Sequence, residues 1–164
     1  MSEAVTMFRK HYQREHAVTR KLLHAYPPGQ ASLKPHERSN DARMLAKTFV
    51  IEEKLMLRAL RNEQVMGTGG FPAVPDDWDE LLAAFDELDR DITEALGRVQ
   101  DESELNAVKW FTGPKQTADF APLEFLWFIL HDQIHHRGQF SVYLRMAGGK
   151  VPAIYGPSAD EPWF

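Results

Sequence analysis

The sequence contains no cysteine. Disulfides, a thiolate nucleophile and any cysteine-based zinc site are therefore excluded. It also lacks a long apolar run. No segment approaches the roughly 18 consecutive apolar residues of a membrane span, so no membrane partner is expected. An apolar N-terminal stretch of the secretory kind is missing too, because MSEAVTMFRKHYQREH is mixed and charged. A cytoplasmic protein is the plain expectation. Basic excess is likewise absent. Nineteen lysines and arginines face 24 aspartates and glutamates, for a net charge of −5. A nucleic-acid partner calls for a basic face, and none is expected here.

What remains is ordinary globular material. The chain has 164 residues, 43% of them hydrophobic and 26% charged. That length and balance predict one domain over residues 1–164. Phe8, Tyr12, Val18, Leu22 and Tyr26 recur at helical spacing, which predicts a first helix from about Ser2 to Tyr26. Ser2 can cap it, and Pro27 and Pro28 stop it. A second helix is predicted from Ser39–Asp41 to about Val65. Its apolar stripe is Leu45, Phe49, Met56, Ala59 and Leu60, and Lys47, Lys54, Arg58 and Arg61 lie opposite. The glycines and prolines of MGTGGFPAVP end it. A third helix opens on Asp77 with Glu80 three residues on, which suits a capping box. It carries Trp78, Leu81, Phe85, Leu88, Ile92 and Leu96 on one face, with a solvated acidic face of Asp79, Asp86, Asp89 and Asp91 opposite.

Between residues 100 and 118 only the Gly113–Pro114 turn is distinct, with Val108, Trp110 and Phe111 expected to pack. A fourth helix is predicted from about Asp119 to Ala147. Pro122 lies in its first turn, and Gly148 and Gly149 end it. It is apolar nearly all round and should be buried on several sides, with the Trp127–Phe128 run in the core. The aromatic segment KVPAIYGPSADEPWF should lie extended on the surface. Four helices with no convincing strand predict an all-α fold, a four-helix bundle with long connections and an extended C-terminal tail.

Polar residues inside apolar stripes carry the chemical information, because buried polar groups need partners. On the second helix Thr48 and Glu52 lie one turn apart on the core side. On the first, His11 and Glu15 have the same spacing, although His11, His16, His24 and His36 are expected at the surface. On the fourth, His131, Asp132, His135 and His136 form two i, i+4 pairs, His131/His135 and Asp132/His136. Such pairs project from one helix face and can grip a single metal ion. Nitrogen and oxygen donors without sulfur suit a divalent metal, zinc or nickel foremost. The same residues fit a plainer reading. Glu52 would pair with a histidine or with Arg137, and Thr48 would bond back to the carbonyl one turn earlier.

The segment HDQIHHRGQFSVYLRMAGGKVPAIYGPSADE resembles the DinB family of damage-inducible DinB/YfiT-like proteins. HHRGQ followed by YLR, a glycine pair, VP and IYGPS carries the likeness, and KPHERS before the second helix adds to it. The resemblance runs along essentially the whole chain. It implies a four-helix bundle, usually a homodimer. Many members hold a divalent metal on three histidines, one from the second helix and an H-x-x-x-H pair directly before RGQ on the fourth. Here His136 matches the last of these, while Asp132 and Thr48 stand in the other two positions.

Two repairs are open. Asp132 and Glu52 can supply oxygen beside His136, or His131 and His135 can take over. The family includes metal-dependent transferases and isomerases that use low-molecular-weight thiols, so a thiol or small-molecule substrate is the implied partner. A metal-dependent transferase or hydrolase is the implied activity, with His135 or His131 as catalytic base. The alternatives are a non-catalytic homodimer and a metal-free pocket lined by Trp127, Tyr143 and the histidines.

Overall fold

A computed structural model of the chain describes residues 1–66 and 70–164. Its four long helices are α1 (Glu3–Ala25), α2 (Ala42–Leu60), α3 (Trp78–Arg98) and α4 (Pro122–Met146). The first three begin where a side chain takes up free amides. The Ser2 hydroxyl accepts from the Val5 N–H, the Asp41 carboxylate from Met44, and Asp77 from both Asp79 and Glu80. The fourth starts on Pro122, whose missing N–H would have had no partner there anyway.

Two element boundaries depart from expectation. The second helix stops at Leu60 and does not reach Val65. Asn62 turns left-handed at φ 58°, a conformation asparagine tolerates. Its amide donates to the Glu104 carbonyl at 3.0 Å, and its side-chain oxygen accepts from the Asn106 N–H at 2.6 Å. That tertiary clip ends the helix before the glycines do. Of those glycines, Gly67 and Gly69 lie outside the described residues.

The second departure is a strand pair where only a turn was expected. Strands β1 (Val108–Gly113) and β2 (Gln116–Phe120) form an antiparallel hairpin, with Trp110 opposite Ala118. Alternation is visible in retrospect, since Val108 and Trp110 are buried and Lys109 and Phe111 are not. Six residues are too short a window for that signal to stand out.

The first helix packs on α3 and α4, and α2 packs on the same two. Helices α1 and α2 therefore occupy one diagonal of the bundle, and α3 and α4 the other. The connections before α2 and α4 cross a diagonal, while the one before α3 joins neighbours. The core between them holds Phe8, Tyr12 and Leu22 of α1, Phe49 and Met56 of α2, Phe85 and Ile92 of α3, and Phe125, Leu130 and Phe140 of α4.

The basic stripe of α2 is put to use. Lys47 pairs with Asp76, Lys54 donates to the Ala73 carbonyl, and Arg58 to that of Val65, so the stripe holds the α2–α3 connection against the helix. The acidic face of α3 is less solvated than expected. Asp86 binds Arg20 and His24, and Asp91 binds Arg61.

Helix α4 is buried on its inner sides only. Phe128, Val142 and Met146 stay 41%, 54% and 51% exposed along its outer face, so Phe128 is not core. No helix among the described residues is long and apolar enough to cross a membrane.

Beyond α4, Gly148 is left-handed at φ 81°. A Cβ on Gly149 would lie 2.2 Å from the Leu144 side chain and 3.2 Å from the Ala25 carbonyl, so any side chain there must displace the buried Leu144. The tail folds on itself. The Asp160 carboxylate accepts from the Val151 N–H, and the Ser158 hydroxyl donates to the Val151 carbonyl.

Candidate metal centre

Glu52 of α2 points from the apolar stripe toward α4 and is buried. His136 of α4 meets it, with Nδ1 at 3.0 Å from Glu52 Oε1. One turn earlier on α4, Asp132 brings an Oδ1 to 3.9 Å from the same Nδ1. One ligand atom from each of the three lies within 4.8 Å of the other two. The other Glu52 oxygen, Oε2, is buried and has no hydrogen-bond partner.

Burial drives the Glu52 carboxyl up to about 8, against the pull of the His136 bond and charge. His136 is raised in turn, first by its bond to Glu52, with burial opposing and the charges of Glu52 and Asp132 assisting. A half-satisfied carboxylate, a second carboxylate and an imidazole thus compete for one positive charge.

The two carboxyl groups, Glu52 and Asp132, border a pocket of about 220 Å³. Thr48, Glu52 and Asp132 are its polar lining, and Ile51, Leu55, Phe71, Trp110 and Ile129 its apolar walls. Thr48 also donates its hydroxyl to the Met44 carbonyl at 3.1 Å, the back-bond expected of it. Trp110 comes from the hairpin, so the strand pair closes one side of the pocket.

The His131/His135 pair goes elsewhere. Both rings are exposed on the outer face of α4. His131 lies against Trp127, and His135 Nε2 is 2.7 Å from the Gln139 amide. Neither approaches Glu52, because a rotation that brought them inward would carry Asp132 and His136 out. The pocket of Trp127, Tyr143 and histidines is also not formed. Trp127 packs on Phe8 and His11, and Tyr143 donates to the Asn40 carbonyl. Arg137 does not pair with Glu52 either. It is fully buried against Glu15 at 2.7 Å, and the Tyr155 hydroxyl touches both groups.

A further polar group escaped the sequence reading. His16, expected at the surface, is 2% exposed. It shares a network with Tyr12, Glu53 and Gln133, of which Glu53 is wholly buried. The spacing did contain a signal. His16 falls four residues after Tyr12 and three before Thr19, inside the stripe from Val5 to Leu23.

Comparison with known proteins agrees with this architecture. The family model described as the DinB family matches residues 1–163. The uncharacterized protein YrdA of Bacillus subtilis strain 168 is 53% identical over 36 residues. That stretch spans 22% of this chain and only 22% of that protein. A crystal structure of a DinB-like protein from Bacillus cereus ATCC 10987 covers 90% of this chain and 95% of its own, at 23% identity and a TM-score of 0.71. The DinB-like protein YjoA of Bacillus subtilis covers 88% and 93%, at 18% identity and a TM-score of 0.68. At such identities the two structures speak for the fold alone. With four helices in this arrangement and a family match over all but the last residue, the chain belongs to the DinB family.

Proposed function

We propose that this DinB-family protein binds one divalent metal ion, zinc or nickel, through His136, Asp132 and Glu52 beside the 220 Å³ pocket. The observation that carries the reading is the buried, unpartnered Glu52 Oε2. A buried carboxylate with an idle oxygen is costly unless a cation is its partner. The donor set is one nitrogen with oxygens, which suits these metals and leaves positions open for a substrate. When bound, the ion supplies Lewis acidity that activates a thiol or water nucleophile. The residues do the rest. Glu52 and Asp132 balance the positive charge, Leu55, Ile129 and Trp110 keep the pocket largely apolar, and the Thr48 hydroxyl offers a neutral polar contact. A low-molecular-weight thiol reacting by transfer or isomerisation is the substrate class this reading carries.

The test is metal analysis of protein purified without an affinity tag. We expect about one equivalent of zinc or nickel, with thermal stability that a chelator lowers. His136→Ala and Asp132→Ala should each weaken binding by roughly tenfold or more. Less than about a tenth of an equivalent after soaking, with chelator-insensitive stability, would overturn the reading. In the same reading the protein is a homodimer that joins through the outer face of α4, where Phe128, Val142 and Met146 stand exposed beside His131 and His135.

A further inference from the structure

The flank between α1 and α3 carries a second set of donor groups. Hydrogen bonds around His16 fix which of its ring nitrogens bears the proton. The Tyr12 hydroxyl donates to Glu53 Oε2 at 2.7 Å, so its oxygen is left as an acceptor. The Gln133 amide donates to Glu53 Oε1 at 3.1 Å. His16 Nδ1 lies 3.2 Å from that Oε1 and 3.4 Å from the Tyr12 oxygen. Both neighbours accept, so Nδ1 carries a hydrogen. In the neutral ring the lone pair then falls on Nε2. Stacking on Phe85, with centroids 4.2 Å apart and planes at 9°, holds the ring in this orientation.

His16 Nε2 is buried and has no hydrogen-bond partner. The His16 residue borders an open cleft of about 430 Å³ together with Arg20, Asp86, Asp89 and Arg90, with Nε2 lying just beneath its surface. Asp89 Oδ1 stands 3.9 Å from that nitrogen. Within this group Arg20 is spent on Asp86, which it binds through two nitrogens at 2.7 and 2.8 Å, and His24 adds to the same carboxylate. Asp89 has no lysine or arginine partner among the described residues.

A carboxylate on one imidazole nitrogen, with the other nitrogen presented bare, is how proteins orient histidine ligands and raise their basicity. We infer that this cleft is a second divalent transition-metal site, with His16 Nε2 and the Asp89 carboxylate as its protein ligands and water in the remaining positions. The imidazole selects zinc, nickel or copper over magnesium or calcium. Two protein ligands make it an exchangeable site, weaker than one closed by four. Electrostatics point the same way. Burial works against a positive ring, yet the Glu53 bond and charge, with Asp89 and Asp86, leave His16 raised above its ordinary value. That field favours any cation at the ring, so a metal competes there with a proton. The site is independent of the one beside His136. Helices α2 and α4 serve both, through the adjacent pairs Glu52/Glu53 and Asp132/Gln133, but the two sites use different histidines.

The experiment is a Zn(II) titration of the full, untagged chain, followed by NMR of the imidazole nitrogens. We expect the His16 Nε2 resonance to move on metal addition. We expect Asp89→Asn to weaken that response by roughly tenfold or more, with the circular dichroism spectrum unchanged. Asp89 is 39% exposed, so this substitution tests the site without disturbing the core as His16→Gln would. Repeating the titration in a His136→Ala background separates this response from metal bound beside His136. His16 resonances that stay fixed at saturating Zn(II), or an Asp89→Asn protein that responds like the parent, would overturn the assignment.

Discussion

Glu52 is a residue whose charge the fold itself opposes. Its folded-state value is raised from 4.5 to about 8, chiefly by burial. The metal-free fold therefore holds this proton more tightly than the unfolded chain does. Stability is withdrawn as pH rises from about 4.5 to about 8. Glu52→Gln removes the titration and keeps an acceptor for His136. The metal-free variant should match the parent near pH 4 and exceed it above about pH 8, while losing metal binding. Denaturant midpoints at both ends of that window check this, and an equal gap at both ends would refute it. Arg137 shows the opposite case of a charge the fold depends on. It is 2% exposed and held by Glu15 at 2.7 Å. Arg137→Met strands a buried carboxylate and should cost about 3–5 kcal/mol in equilibrium unfolding. The double change with Glu15→Leu should recover part of that loss.

At the level of elements, legibility followed the length of the pattern. Helices of 19 to 25 residues repeat their apolar spacing often enough to be read, and Ser2, Asp41 and Asp77 mark three of their starts. The hairpin offered only strands of six and five residues and a turn, and the end of α2 was decided by Asn62 reaching Glu104, a contact distant in sequence. In the site, Glu52, Asp132 and His136 were readable as polar residues on inward faces. What could not be read was which histidines face inward, since His131 and His136 stand about 140° apart around α4 and the helix is apolar on both sides. His16 was misplaced because histidine is common at surfaces, and its partner Glu53 sits on another helix. The junction after α4 gives an element-scale test. Gly149→Ala would drive a methyl into the buried Leu144 and should cost about 1–3 kcal/mol, read from the urea midpoint. An unchanged midpoint would mean that the chain can move away from Leu144.

For the whole molecule, the proposed homodimer centres on one face. Val142 is 54% exposed on the outside of α4. If the homodimer forms there, Val142→Glu should convert it to a monomer in sedimentation equilibrium while leaving helix content unchanged. A dimer that survives the change would place the interface elsewhere. The buried Glu15–Arg137 pair also ties the tail to the bundle. Its third partner, the Tyr155 hydroxyl, bonds both charges at 2.6 and 2.7 Å but follows α4 in the chain. A proteolytic cut between α4 and residue 155 would leave that ion pair one shared partner short. The clipped bundle should therefore unfold at a lower urea concentration than the intact chain, although all four rods survive the cut.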